Sequence, residues 1–360
     1  MSLETVVILA AGEGTRMKSK TPKVLHEIAG RSLLGHVLAA CKPLNAKHLR
    51  VVVGSGREKV EAHLAEIAPG VTTVFQEHRG GTGHAAQLAL ADLTPAGTIL
   101  ILAGDTPMLT SDSLAQLLEG HHAGGFTASV LTAEHPEPTG YGRIIRGDDG
   151  SLVRIVEEKD ADEFEKAIEE INSGVYAFDA VKLAGAIGKL RNDNAQGELY
   201  LTDVIEILRN EGGKIAAVCI DDFTETLGVN DRVQLAESEA LLRDRINEKL
   251  MRSGVTIVDP TTTWISSDVV IAQDVTILGG TVIGGNSSIA TGAVIGPRSM
   301  LIDCVVGSGA EVKETHATKA VIGENASVGP YTYLRPGTNL AANTRVGAFV
   351  EMKNATVGEG

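Results

Sequence analysis

The run Leu9-Ala10-Ala11-Gly12-Glu13-Gly14-Thr15-Arg16-Met17, followed by Thr21-Pro22-Lys23, is the stretch of this chain best suited to binding phosphate. Its small residues let backbone N–H groups approach a nucleotide, and Arg16 and Lys23 bring the charge that neutralises phosphates. The pattern is not G-x-x-x-x-G-K-[ST], which excludes a P-loop NTPase. Met17 stands at the sixth place of a G-x-G-x-x-G match, which argues against an NAD-dependent oxidoreductase. Taken alone, the stretch also fits a Gly-rich β–α turn flanked by surface cations. Gln76 precedes Gly80-Gly81-Thr82-Gly83-His84, and its amide has the donor and acceptor needed to read a base edge. Gly104-Asp105-Thr106-Pro107 follows the apolar run Thr98–Ala103. A carboxylate at the carboxyl end of a parallel strand faces the ligand crevice, and one carboxylate plus substrate phosphates is a usual way of holding Mg²⁺. A helix cap is the structural alternative for Asp105.

These groups need elements to hold them. Thr5–Ala10, Arg50–Gly54 and Thr98–Gly104 are continuous apolar runs that lead into glycines, as expected of strands covered on both faces. Leu33–Cys41 and Arg57–Ile67 read as helices between them, giving an α/β doubly wound domain. Thr132–Ile171 differs. It holds Pro136, Pro138, Gly140, Gly142 and the turn Asp148-Asp149-Gly150, which predict an antiparallel insertion or lid. Asp231–Arg252 reads as one long connecting helix, with Asp231 as cap, Gln234 completing a capping box, Gly254 as stop, and Leu235, Leu242, Ile246 and Leu250 on one face.

Beyond Gly254 the texture changes. Ile265, Ile271, Ile277, Ile283, Ile289, Ile295 and Leu301 recur every six residues, and after a break Ile322, Val328, Leu334, Leu340, Val346 and Met352 do the same. A small or β-branched residue stands two positions before most of them, from Thr263 and Val269 to Thr344 and Val350. A period of six suits neither an α-helix nor a heptad repeat. It suits a parallel β-helix, in which each rung turns one large residue inward and sets Gly or Asn at its corners. Three rungs per coil predict five or six coils.

Composition narrows the function. The formal charge is −14, from 32 Lys and Arg against 46 Asp and Glu, so no general attraction to nucleic acid is expected and phosphate binding must be local. No apolar run approaches the roughly 20 residues of a membrane span, and Met1-Ser2-Leu3-Glu4 has no signal-peptide pattern. Cys41, Cys219 and Cys304 are far apart and form no C-x-x-C pair, which argues against disulfides or zinc and fits the cytoplasm. With 41 Gly and 3 % aromatics, tight turns and thin packing layers are expected.

Further segments extend the first loop into a series: Gly140-Tyr141-Gly142-Arg143-Ile144, Ile155-Val156-Glu157-Glu158-Lys159-Asp160, Glu170-Ile171-Asn172-Ser173-Gly174, residues 194–203 (NAQGELYLTD) and Gly228-Val229-Asn230-Asp231-Arg232. In this order they resemble the sugar-1-phosphate nucleotidyltransferases. With the hexapeptide tail the resemblance covers essentially all 360 residues and is to the bacterial GlmU family of bifunctional N-acetylglucosamine-1-phosphate uridyltransferase/glucosamine-1-phosphate N-acetyltransferases. It implies a Rossmann-like nucleotidyltransferase (pyrophosphorylase) domain over residues 1–230, a linker helix over 231–253, and a left-handed parallel β-helix over 254–360 that assembles as a homotrimer. The implied reaction is Mg²⁺-dependent: UTP and N-acetylglucosamine-1-phosphate give UDP-N-acetylglucosamine and pyrophosphate.

Carried over by matching motif, Leu9, Ala10, Gly12, Gln76, Gly81 and Thr82 would hold the uridine, and Arg16 and Lys23 the triphosphate. Asp105 and Asn230 would bind Mg²⁺, with Asn230 also beside the sugar, and Gly140, Glu157, Asn172 and Tyr200 would hold the N-acetylglucosamine. Arg16, Lys23 and Asp105 would be the catalytic set. Arg335 and Lys353 match the family's cations for the amino-sugar phosphate of the acetyltransferase site. The family's catalytic His and acetyl-CoA coils would lie beyond Gly360, so the chain is read as C-terminally truncated and acetyl transfer is expected to be absent. The rival readings are a pyrophosphorylase for another sugar phosphate or nucleotide, a hexapeptide acyltransferase with a regulatory nucleotide domain, and a structural trimerising prism.

Overall fold

The computed structural model describes residues 3–359. The chain divides into two compact units, one made of the residues up to His26 with Ser32–Leu235, the other of Glu27–Arg31 with the residues from Ala236 on.

In the first unit the apolar runs form strands Leu3–Ala10, His48–Val53 and Thr98–Ala103. They belong to a nine-stranded sheet whose main path runs Ile215–Ile220, Ala128–Glu134, Glu170–Asp179, Thr98–Ala103, Leu3–Ala10, His48–Val53, Thr72–Phe75. Side chains of successive strand residues face opposite sides. Val6, Ile8, Val51, Leu100 and Leu102 share one core with helices Leu33–Cys41 and Ser111–Gly124. Val7, Val52, Ile99 and Ile101 share the other with helices Gly81–Leu90, Ala180–Ile187 and Asp203–Asn210. Cutting one such buried Leu or Ile to Ala costs ~2–5 kcal/mol, so the sheet is a stiff platform.

The sheet is mixed rather than wholly parallel. Glu170–Asp179 runs antiparallel between Thr98–Ala103 and Ala128–Glu134. A hairpin and a four-residue helix precede it rather than a full crossover helix, so nothing obliges a parallel return. The expected antiparallel insertion is that hairpin, Arg143–Arg146 with Leu152–Val156. Its turn is closed by the Gly150 N–H donating to Gly147 O at 2.9 Å.

The long helix spans Arg232–Arg252, and the Asp231 carboxylate accepts from the N–H groups of Val233 and Gln234. The capping box is displaced by one residue: the Gln234 side chain accepts from Asn230 N–H, not from the cap itself.

The second unit is built of two- to four-residue strands in three six-stranded parallel sheets, consistent with a left-handed β-helix of six coils. Ile257, Ile277, Ile295, Val312, Val328 and Val346 stack in register through one sheet. The break in six-residue spacing between Leu301 and Ile322 is a shift of register within the stack, not a gap in it. Val306 pairs with Ile289 and Ile322, Val312 with Ile295 and Val328, and Ala317 with Leu301 and Leu334. The inward positions step 301, 306, 312, 317, 322, so three rungs are five residues long and the stack is continuous. Corners are made by residues of positive φ such as Asp303, Asn325, Asn343 and Asn354. Residues 27–31 join this unit: Ala29 N–H donates to Glu239 and Ala29 O accepts from Ser267 N–H, each at 2.9 Å.

Candidate active site

The carboxyl ends of Leu3–Ala10 and Thr98–Ala103 form a topological switch point, because the chain leaves the first strand to one side and later returns on the other. Gly104 N–H donates to Leu9 O at 2.9 Å and ties the two strand ends together. Asp105 O accepts from Val229 N–H, also at 2.9 Å, and this draws the 228–230 segment to the same place. Gly14 adopts φ +63°, and a Cβ there would lie 2.5 Å from the Cβ of Lys23. Glycine therefore lets the loop close onto the stem of Lys23.

The result is a cluster of three predicted residues. The Lys23 ammonium forms an ion pair with the Asp105 carboxylate and donates to Asn230 Oδ1 at 3.1 Å. The Lys23 and Asp105 side chains are only 12 % and 19 % exposed, so water screens the pair weakly. Arg16 lies exposed on the one-turn helix Thr15–Met17.

Gln76 is buried. Its amide NH₂ donates to Gly81 O at 3.1 Å and lies 3.2 Å from His84 Nδ1. Its donor side is engaged within the protein, so a base edge would meet the amide oxygen. Gly81 has φ +91°, and a Cβ there would stand 2.5 Å from Leu199 O. The segment is stitched to 199–201: Gly83 N–H donates to Leu199 O, Leu199 N–H to Gly80 O, and Leu201 N–H to the Thr82 hydroxyl.

A second group of predicted residues surrounds Glu157. This carboxylate accepts from Thr202 Oγ1 at 3.1 Å. Burial raises its pKa against the Thr202 bond, and Asp203 and Asp160 push it the same way as burial. The Tyr200 hydroxyl accepts from Gln196 at 2.9 Å; burial chiefly raises this phenol's pKa. Asn172 takes its backbone position from Gly142 O. Its side chain accepts from Gly174 N–H and donates to the Tyr176 hydroxyl at 2.6 Å. Burial and the nearby Glu157 charge raise the Tyr176 phenol's pKa. Gly140 N–H donates to Glu158, not Glu157, at 3.2 Å.

Four residues to which sequence reasoning gave no role, Thr202, Tyr141, Arg143 and Glu158, support these groups. Thr202 stands at the N-cap of helix Asp203–Asn210, yet its hydroxyl makes no cap bond and serves Glu157 instead. Tyr141 places its hydroxyl at the Gly228 backbone, near Asp105, with burial the main cause of its raised pKa. It is one of only 5 Tyr in the chain, and that scarcity inside a motif was the available signal. Arg143 is 1 % exposed; it donates to Glu158 at 2.7 Å and to the carbonyls of Tyr141 and Lys166. Glu158 thus holds both Arg143 and the Gly140 N–H.

In the β-helix unit Leu334 pairs with Met352, so Arg335 and Lys353 lie on neighbouring coils. Arg335 forms an ion pair with Glu351 at 2.9 Å, and Lys353 is exposed.

Among the described residues no group of three or more His, Cys, Asp or Glu could hold a metal ion. Asp105 and Asn230 offer two hard oxygens that already accept a cation, the Lys23 ammonium. That donor set suits Mg²⁺, which takes one or two protein ligands beside water and substrate phosphates. No helix among the described residues is long and apolar enough to cross a membrane.

Comparison with known proteins gives a consistent picture. Residues 6–168 match the family described as MobA-like NTP transferase domain. Over 358 residues the chain is 53 % identical to the bifunctional protein GlmU of Streptomyces avermitilis, an alignment covering 99 % of this chain and 74 % of that relative. The bifunctional protein GlmU of Streptomyces coelicolor gives the same identity and coverage. That of Mycolicibacterium vanbaalenii is 52 % identical over 363 residues, with 99 % and 73 % covered.

Proposed function

This chain belongs to the GlmU family, and on that premise we propose that its first unit transfers a uridylyl group from UTP to N-acetylglucosamine-1-phosphate. The products are UDP-N-acetylglucosamine and pyrophosphate. The observation that carries this reading is the Lys23–Asp105–Asn230 cluster at the sheet's switch point, in one unit with the Gln76–Thr82 segment and the Glu157 pocket.

The reaction sets modest demands on the protein. A phosphate oxygen of the sugar attacks the α-phosphorus of UTP in line, the bond to the β-phosphate oxygen breaks, and pyrophosphate leaves. The nucleophile is already an anion, so no general base is required. Catalysis rests on positioning and on matching charge. Gln76, Gly81 and Thr82, with Leu9, Ala10 and Gly12, orient the uridine. Lys23 and Arg16 neutralise the triphosphate and the leaving pyrophosphate. Glu157, Asn172, Tyr200 and Gly140 hold the sugar. Asp105 and Asn230 hold Mg²⁺, which when bound draws charge from the phosphoryl oxygens.

On the same reading the uridyltransferase domain comprises residues 1–230, the linker helix 231–253 and the β-helix domain 254–360. In the β-helix, Arg335 and Lys353 are the cations for an amino-sugar phosphate, and the β-helix carries a homotrimer. Exposed Val270, Met300, Val305, Val321 and Tyr333 give it apolar outer surface to bury. Light scattering that finds monomer at micromolar concentration would remove the trimer from the reading.

The decisive assay is pyrophosphate release from UTP, dTTP or ATP with N-acetylglucosamine-1-phosphate or glucose-1-phosphate, with and without Mg²⁺. Turnover is expected with UTP and the N-acetylated sugar and to vanish with chelator. Equal turnover across nucleotides or sugars would overturn the substrate assignment.

A further inference from the structure

We propose that Lys23 is a tethered counter-cation at the metal position of the free enzyme, so that metal and nucleoside triphosphate load together rather than independently. This rests on the reading of Asp105 and Asn230 as the metal ligands.

The argument begins with occupancy. The ammonium of Lys23 engages both candidate ligand oxygens at once, the Asp105 carboxylate and Asn230 Oδ1. An ammonium and a divalent cation drawn to the same carboxylate and the same amide oxygen repel each other, and the site is largely shielded from water, so the two compete. A metal entering the free enzyme must therefore displace Lys23 from an established ion pair.

The stem of Lys23 cannot move far. It begins the one-turn helix Lys23–Leu25 after Pro22, and its Cβ lies against Gly14, where another Cβ would come within 2.5 Å. Displacement is thus a swing of the long side chain about a fixed base. The base sits against the 9–16 loop, where the triphosphate is to bind. A bound triphosphate gives the displaced ammonium a new anionic partner in place of Asp105.

Two ligands follow from one lysine. The triphosphate stabilises Lys23 away from Asp105, which opens the oxygens to metal, and metal at Asp105 releases Lys23 to the phosphates. Such coupling is reciprocal by thermodynamic linkage, with typical factors of about 5–150 in affinity. Lys23 then does more than add positive charge. It prevents a metal-loaded, nucleotide-free site from accumulating and exchanges one cation for another as substrate arrives.

The test is direct metal binding to the whole chain without nucleotide, using Mn²⁺ as probe and the electron paramagnetic resonance of free Mn²⁺ as readout. Lys23→Met is expected to bind Mn²⁺ about tenfold or more tighter than wild type, and Lys23→Ala to behave alike. Asp105→Asn in the Lys23→Met background is expected to abolish that binding. Unchanged or weaker Mn²⁺ affinity in both folded Lys23 variants, with Asp105 still required, would overturn the inference while leaving the metal assignment intact. Binding that survives Asp105→Asn would overturn the metal assignment itself. Melting curves identify any misfolded variant, and the two Lys23 substitutions differ enough in bulk for one to serve if the other fails.

Discussion

Replacing Glu158 by Ala should damage the sugar pocket without substituting any residue assigned to hold the sugar. The change removes the one carboxylate bonded to Arg143, whose side chain is 1 % exposed. Two carbonyls, of Tyr141 and Lys166, would remain on the guanidinium, but neither carries a balancing charge. Stranding a buried charge costs ~3–5 kcal/mol. Glu158 is itself 28 % exposed, so water can partly replace it and the lower end, about 3 kcal/mol, applies. At ~2–4 °C per kcal/mol for a unit of this size, the melting temperature should fall by about 6–12 °C.

The far-ultraviolet helix signal reports mainly the first unit, whereas the single Trp, Trp264, lies in the second and supplies an internal control. Loss of the bond to Gly140 N–H should also raise KM for the sugar phosphate about tenfold, with kcat much less affected. Pairing Glu158→Ala with Arg143→Met should recover at least about 1 kcal/mol relative to the sum of the single effects, since no charge is then stranded. The pH dependence has a definite sign. Burial alone would raise the Glu158 pKa, but Gly140 N–H and Arg143 outweigh it and hold it below the ordinary 4.5. The pair's stabilisation is therefore complete above pH 4.5 and is lost as pH falls through the lower folded value. A single-variant cost under about 0.5 kcal/mol, strict additivity of the pair, or a gap that widens in acid would refute this reasoning.

Asp203 is pushed up to about 6 by burial first and then by Glu206 and Asp160. The folded state thus holds its proton more tightly than the unfolded chain, and the penalty is present above pH 6 and absent below about 4. Asp203→Asn should stabilise the protein by about 1 kcal/mol at pH 8 after allowance for solvent screening, and by nothing near pH 4, in urea melts. Gly81→Ala should cost more than ~1 kcal/mol, because φ is +91° and the new Cβ would meet Leu199 O. It should raise KM for UTP severalfold in steady-state assays; an unchanged KM would separate Gly81 from the nucleotide. Val312→Asp and Ile295→Asp should unfold the β-helix alike, since both side chains are fully buried, and Trp264 fluorescence can follow it. A tolerated Val312→Asp would refute a stack continuous through the five-residue rungs.

Much of this was legible before the fold was known, for identifiable reasons. The rungs from Ile265 to Leu301 could be counted because an uninterrupted period leaves no alternative register. The rungs after Leu301 were hidden because three of them lack one residue each, and because Cys304, Ala310, Thr315 and Ala317 are small enough to pass for loop. Asp105 stood out as a carboxylate after a glycine at a strand end, and Lys23 as a cation soon after a small-residue loop. That they would meet each other and Asn230 could not be read, since it depends on the Val229 N–H bond to Asp105 O across the fold. The displaced box at Gln234 and the uncapping hydroxyl of Thr202 break local rules that sequence reading relies on. The burial of Arg143 and its bond to Glu158 were not legible, because strand alternation gives a facing, not a partner.

The hairpin of residues 143–156 carries a consequence for how the pocket can change. Glu157 and Glu158 are chemically alike and adjacent, yet just past the strand end one serves Thr202 and the other Arg143. Where each sits follows from where the strand Leu152–Val156 ends, and that end is fixed by pairings such as Ile144 with Ile155 and by the turn at Gly147–Gly150. Slipping that pairing by one residue would carry one carboxylate into the other's place and bring Val156 or Lys159 into the place it leaves. The pocket's chemistry is in this sense counted along the chain, and a length change in an exposed turn could rewire it with every side chain retained.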